Sequence, residues 1–360
     1  MNVLFRTDAS AEIGTGHVMR CLTLASYLRS QGAKISFICR ELKSDLCEYI
    51  ESKGFIVLRI KNKHLNSKPD RQLTNHPHFT EVNWNKDALE TKKIIERQKN
   101  IDLLIIDHYS IDINWEKHIR PYVKKIMVID DLANRSHDCD ILLDQNLVTD
   151  MEKRYTNLIS NSCEKLLGPK YALLRSEFLE AKLKMKERKG DLQRILIFFG
   201  GDLTNETTKA LKASLLLEQK GINIDVVVGK TNPYKSQIQE LCESISCVNF
   251  YFQIDHMAEL MSKADVAIGA GGSTTWERCC LGLPSIVLTL ADNQVELTKK
   301  VEEIGAHIYL GDQSGVTIYH LYNTLCRLIR EGKTLKKMSE NGMNLVDGKG
   351  ALRVINRIIY

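Results

Sequence analysis

Two hydrophobic patterns alternate along this chain: short continuous apolar runs, and stretches in which apolar residues recur three and four apart. The first run, at 2–5, predicts a buried strand. After it Val18, Leu22, Ala25 and Leu28 recur at helical spacing, which predicts a helix closing near Gly32. Strands are expected at 34–39 and 55–60 with a helix at 45–53 between them, the alternation of a parallel sheet. The pattern breaks at 61–86, a polar segment with two prolines, three histidines and no period, expected to be a long loop or flap. It resumes with a helix at 87–99 and strands at 101–106, 126–129 and 141–143. Residues 177–194 are charged with few apolar positions and read as an exposed helix and linker. A second series follows, with strands at 194–199, 225–228, 248–252, 266–268 and 285–288. Its helices are expected at 204–219, 235–244, 256–263, from about 273, and after 294. Further helices at 317–330, 335–341 and 351–359 close the chain.

At 360 residues the chain exceeds what one core serves efficiently. The expected fold class is α/β with two Rossmann-like domains, 1–176 and 194–345. A charged helix and linker at 177–193 join them, and a C-terminal helix at 346–360 is placed to pack back on the first domain.

Composition narrows the function classes. With 43% hydrophobic and 26% charged residues the chain is ordinary globular protein, and no apolar run approaches a membrane span. Residues 1–5 lead straight into a charged loop without a signal-peptide pattern, so a cytoplasmic location without membrane contact is expected. Ten cysteines are scattered without a C-x-x-C pair, and Cys279-Cys280 point apart on a helix; reduced, buried thiols and no zinc site are expected. His64, His76 and His78 read as solvated loop residues rather than metal ligands. A net charge of +5 suits an anionic small molecule and, without a basic stripe, argues against nucleic acid. Neither a metal nor a cofactor is expected.

Two stretches carry candidate chemistry. In RTDASAEIGTGHVMRCLTLASYL, residues 6–28, Gly14 and Gly16 bracket a loop and His17 follows where the helix begins. The positive end of a helix dipole favours a neutral imidazole, the form a general base needs. Arg6, Thr7, Asp8, Ser10 and His17 gather at the carboxyl end of the first strand, where open parallel sheets bind ligands. The plainer reading makes His17 an ordinary first-turn residue and the glycines shapers of a turn. Polar residues also end three later strands: Asp107-His108-Tyr109, Asp130-Asp131 and Asp144-Gln145-Asn146. The aspartates 130, 131 and 144 read first as loop or helix caps, while Tyr109 can lay its ring against a sugar and still use its hydroxyl. In the second half GAGGSTTWE, residues 269–277, offers glycines and a helix start to an anion, and Glu277 could accept two ribose hydroxyls. Thr274 and Glu277 equally spell a capping box. Asn293 and Gln294, at another strand end, suit hydroxyl or acetamido groups, and Asn293 could instead cap the next helix.

Two doubly wound domains with GAGGSTTWE in the second resemble the glycosyltransferase-B (MurG-like) architecture, in which a nucleotide sugar lies between two Rossmann-like domains. The opening stretch, with IDHYSID, MVIDDLANRSHDCDILLDQN, LLGPKYALLRSEF and AGGSTTWERCCLGLP, is similar to the bacterial hydrolases that cleave UDP-2,4-diacetamido-2,4,6-trideoxy-β-L-altropyranose in pseudaminic acid biosynthesis. The resemblance implies that His17 is the general base. It places Ser273 and Thr274 at the phosphates, with Gly200, Gly201, Gly271 and Gly272 in the UDP-binding turns, Glu277 at the ribose, and the backbone of Asp255 and Met257 at uracil. Arg6, Asp8, Gly14, Gly16, Tyr109, Asn293 and Gln294 are the expected sugar-side residues. The turn Gly200-Gly201-Asp202 is one residue shorter than the family's pattern, which leaves Asp202 without an implied role. The expectation is then metal-independent hydrolysis of a UDP-sugar at the anomeric carbon with inversion, by a monomer, for flagellin or surface glycan. The rivals are a glycosyltransferase of the same fold and a noncatalytic UDP-sugar binding protein.

Overall fold

A computed structural model describes residues 1–10, 13–61, 83–98, 100–185, 187–217 and 221–359. The chain forms two compact units: Met1–Asn146 with Asp150–Leu173 and Ala351–Tyr360, and Leu147–Thr149 with Leu174–Gly350.

In the first unit seven strands make one sheet: β1 (Asn2–Thr7), β2 (Lys34–Arg40), β3 (Ile56–Ile60), β4 (Leu103–Asp107), β5 (Lys125–Ile129), β6 (Ile141–Asp144) and β7 (Glu164–Leu167). Their order is β3-β2-β1-β4-β5-β6-β7, every pair parallel. Around it lie α1 (Gly16–Ser30), α2 (Cys47–Ser52), α3 (Trp84–Ile95) and α4 (Ile113–Ile119). Side chains alternate across the strands. Val3 and Phe5 join the core beneath α1, with Val18, Cys21, Ala25 and Leu28, while Leu4 joins the opposite core with Ala88 and Trp115.

The second unit begins with α5 (Ser176–Lys184) and has a six-stranded sheet: β8 (Arg194–Phe198), β9 (Asn223–Val228), β10 (Val248–Phe252), β11 (Val266–Ala270), β12 (Ser285–Thr289) and β13 (Ile308–Asp312). The order is β10-β9-β8-β11-β12-β13, again wholly parallel. Its other helices are α6 (Glu206–Leu215), α7 (Lys235–Glu243), α8 (Met257–Lys263), α9 (Thr274–Cys280), α10 (Val295–Glu303), α11 (Ile318–Arg330) and α12 (Gly332–Leu345). The last helix, α13 (Gly350–Ile359), gives Ala351, Val354, Ile355 and Ile358 to the core of the first unit.

The expected α/β class with two parallel-sheet units is what the chain adopts. Each sheet reverses its strand order once, at β1/β4 and at β8/β11, and ligands of doubly wound sheets bind beyond the carboxyl ends at such switch points. The histidine loop follows β1, and GAGGSTTWE runs from the end of β11 into α9. Three elements carry too little local pattern to be anticipated: α4, β7 and β13. β7 has two buried residues out of four, and β13 carries Gly311 at φ +110° beside a register shift. The helix expected from residue 87 starts earlier, at Trp84, because the Asn83 side chain accepts the Lys86 N–H. The rest of the expected loop, with His64, His76 and His78, lies outside the described residues. All ten cysteines are unpaired by disulfides, and all but Cys247 and Cys326 are buried. Among the described residues no helix is long and apolar enough to cross a membrane.

Candidate active site

Beyond β1, polar side chains form a frame around buried carboxylates. Arg6 has no exposed surface; Nη1 donates to Asp8 Oδ1 at 2.6 Å and Nη2 to Asp87 Oδ2 at 2.7 Å. Asp87, on α3, also accepts from Trp115 Nε1 and from Arg40 Nη2, and Asp8 accepts from the Arg40 backbone N–H and from His108 Nε2 at 3.1 Å. Burial alone would raise both carboxyl pKa values, but the Arg6 guanidinium outweighs it and holds each well below the usual carboxylate range. Arg6 and Asp8, expected on the sugar side, thus lie in the interior and spend their polar atoms on each other and on neighbouring elements.

His17 is the second residue of α1 and is 6% exposed. Its Nδ1 lies 2.6 Å from Asp107 Oδ1, at the last residue of β4. Arg20, one turn further along α1, grips the same carboxylate through Nε to Oδ2 at 2.5 Å and Nη2 to Oδ1 at 2.6 Å; its Nη1 reaches Asp131 Oδ2 at 2.9 Å. Burial pushes the Asp107 pKa up, yet Arg20 and then His17 prevail and keep it well below the carboxylate range. Arg20 Nη2 also lies 3.2 Å from Nδ1, but the shorter contact is to an ionised carboxylate, which only accepts, so a neutral His17 holds its proton on Nδ1 and its lone pair on Nε2. The Tyr109 ring meets the imidazole edge to face at 4.3 Å between centroids. Burial, then the Asp131 charge, raises the Tyr109 pKa well above its ordinary value, so its hydroxyl stays neutral beside Asp131. His17, Asp107, Arg20, Asp131 and Tyr109 close into a ring of contacts.

Asp107 and Arg20 are the functional candidates that pattern reading passed over. A signal existed for Arg20, since residues three apart on a helix share a face. Asp107 needed the pairing of β4 beside β1, where Thr7 faces Asp107. Of the loop glycines, Gly14 takes φ +81°, while Gly16 opens α1 with ordinary backbone and is not required there by conformation.

In the second unit the glycines turn out to serve packing more than dihedral freedom. A Cβ on Gly269 would lie 2.5 Å from Phe198 O, and one on Gly271 would lie within van der Waals overlap of Thr298 Oγ1. After β8, Gly200 has φ +66°, and a Cβ on Gly201 would lie 2.7 Å from Thr231 Oγ1. Asp202 finds its role here: its carboxylate accepts the Glu206 and Thr207 backbone N–H groups at 2.8 and 2.7 Å, tying down the start of α6. The capping box, one of the two readings of Thr274 and Glu277, does not form. Ser273 is the residue at the cap, and Thr274, already helical, accepts from Arg278 Nη1 at 3.0 Å. Arg278 also donates to Ala270 O and Thr275 Oγ1, so a buried guanidinium, its pKa lowered by burial to about 10, backs the glycine turn. Glu277 faces Arg175 Nη2 at 3.5 Å. Gln294 Oε1 accepts the Leu290 N–H at 3.0 Å, and Asn293 lies within a 3-10 turn, Asp292–Gln294, rather than at a helix cap. Asp255 is exposed just before α8, and Met257 is buried as that helix's first residue.

Residues 195–352 match the glycosyltransferase family 28 C-terminal domain. The chain is 31% identical over 295 residues to an uncharacterized protein of Methanocaldococcus jannaschii, covering 80% of this chain and about half, 55%, of that longer protein. It is 29% identical over 282 residues to the UDP-2,4-diacetamido-2,4,6-trideoxy-beta-L-altropyranose hydrolase of Campylobacter jejuni, covering 78% of this chain and 89% of that one. In three dimensions it is similar to MurG of Acinetobacter baumannii, with a TM-score of 0.68 across 99% of both chains at 16% identity. The chain therefore has the two-unit α/β fold of the MurG-like glycosyltransferases, and its second sheet falls in the stretch that matches the family 28 C-terminal domain.

Proposed function

We propose that this chain hydrolyses UDP-2,4-diacetamido-2,4,6-trideoxy-β-L-altropyranose to UDP and the free sugar, a step of pseudaminic acid biosynthesis. The named activity of the Campylobacter relative supports the substrate, and the observation that carries the chemistry is the His17–Asp107–Arg20 arrangement. With its proton on Nδ1, His17 takes a proton from water at Nε2 as the water oxygen bonds to C1. The bond from C1 to the diphosphate oxygen breaks, UDP leaves with its electron pair, and single displacement inverts C1. Asp107 stabilises the imidazolium that forms, and a general base of this kind is worth about 10²–10⁴ in rate. No metal ion is needed in this scheme. Gly271, Gly272, Ser273 and Thr274 bind the diphosphate, with the Arg278 charge behind them, Glu277 the ribose, and the backbone at 255–257 the uracil. Tyr109, Asn293 and Gln294 meet the sugar, while Arg6 and Asp8 act from behind, by tying the end of β1 to Arg40, Asp87 and His108.

The family 28 match and the likeness to MurG favour a second reading, a UDP-sugar glycosyltransferase. One assay separates the two: purified protein on a panel of UDP-sugars with water as sole acceptor, read as free UDP. Hydrolysis run in ¹⁸O-water should put label in the sugar and none in UDP. Label in the phosphate overturns attack at carbon, and UDP release only on addition of an acceptor favours the transferase.

A further inference from the structure

The LLGPKYALLRSEF stretch has no part in the chemistry above, yet its Arg175 and Glu177 sit among the proposed UDP contacts of the second unit. Arg175 directly precedes α5, which packs against both α8 and α9. Its Nη1 lies 2.9 Å from Glu177 Oε1 and its Nη2 3.5 Å from Glu277 Oε1. The guanidinium also lies over the ring of Phe178, 5.2 Å from its centroid, and that ring is wholly buried. Glu177 in turn accepts the backbone N–H of Ala258, in the first turn of α8. One arginine therefore serves two carboxylates, one tied to the segment proposed for uracil and one proposed for the ribose.

Resting on the UDP reading above, we infer that Arg175 is a positioning residue that holds the Glu277 carboxylate aimed, so that it accepts the ribose hydroxyls. Burial favours the neutral form of Glu277 and prevails, raising its pKa above the ordinary value, and Arg175 is the foremost charge opposing it. A carboxylate can accept from two hydroxyls at once; once protonated, one oxygen becomes a donor and the match to a diol is lost. Arg175 thus sets the preference for ribo- over deoxyribonucleotide without touching the nucleotide.

The test is calorimetric titration of UDP and 2′-deoxy-UDP into the full chain and its R175M and R175K variants, with E277Q as reference. Wild type should prefer UDP about tenfold or more, as expected for hydrogen bonds to a charged group. R175M should bring that ratio close to one, as should E277Q, weakening UDP more than 2′-deoxy-UDP, which keeps the 3′-hydroxyl, and R175K should restore part of the ratio. If R175M weakens both nucleotides equally, or leaves the ratio intact, Arg175 is only a brace between helices and the inference fails. If wild type binds no UDP, the UDP reading itself fails, whatever the variants do.

Discussion

The proton of His17 is placed by its neighbour, Asp107, at 2.6 Å. Asn at position 107 keeps the shape but can turn an N–H toward Nδ1, which favours the tautomer with its proton on Nε2, and it deprives Arg20 of its buried carboxylate. Asp107→Asn should lower kcat by about 10²–10⁴, as should His17→Ala, and the double variant should be little worse than either alone. UDP affinity, measured separately, should not change. His17 and its loop are legible in the sequence because strand, glycine and helix follow one another within a few residues. The role of Asp107 is not, because the residue lies ninety positions away and only strand pairing brings it near. A second aspartate gives a pH signature. Burial raises the Asp144 pKa to about 7, with Arg154 opposing and Asp130 and Asp131 adding to it. Its oxygens accept the Asn146 N–H at 2.9 Å and the Tyr155 hydroxyl at 3.1 Å. Because the folded pKa lies above the unfolded value near 3.9, this group's stabilising contribution is complete below about pH 4 and is lost as pH rises through 7, at up to about 1.4 kcal/mol per pH unit. Urea midpoints of wild type against Asp144→Asn at pH 5 and 7.5 should show wild type losing ground at the higher pH. Parallel curves would sink the assignment.

Among the elements, the turn from β11 into α9 shows how a glycine-rich motif can mislead about its cause. The run reads as backbone freedom for a ligand, but Gly269 and Gly271 are glycine because Phe198 O and Thr298 Oγ1 occupy the space of a Cβ. Gly271→Ala should destabilise by about 1–3 kcal/mol through overpacking. Thr298→Ala, which removes the hydroxyl in the way, should recover much of that loss in the double variant, as read from urea unfolding. Additive losses would show that the contact is not the reason for the glycine. The same turn shows why the alternative reading of Thr274 and Glu277 as a capping box does not hold. Thr274-x-x-Glu277 has the right spacing, but the helix begins at Thr274 itself, so the threonine sits a residue too late to cap it. A capping box does form at Thr317 and His320, where the threonine precedes the first helical residue and the imidazole takes the place of the usual Glu or Gln.

At the scale of the whole molecule, the last helix belongs to the first unit although the chain reaches it through the second. Its buried face, Ala351, Val354, Ile355 and Ile358, joins the core beneath α1. A chain ending at Asp347 should lose hydrogen-exchange protection in β7, where Arg357 meets Glu164 and, just beyond the strand, Arg353 donates to Lys170 O, while β8 and β11 keep theirs, since burial of such side chains is worth about 1.5–3 kcal/mol each for the larger ones. Loss confined to the second sheet would contradict the packing.

The sequence by itself determined the alternation of strands and helices, hence parallel sheets, and it marked the two polar stretches that follow β1 and β11. Those are consequences of local periodicity and of what glycine, aspartate and histidine do within a turn or two. Tertiary structure alone decided the strand order that puts both stretches at switch points, the carboxylate that meets His17 and the burial of Arg6. Each depends on contacts between residues far apart in the chain, and a period of two or of 3.6 says which side of an element is buried without saying what lies against it.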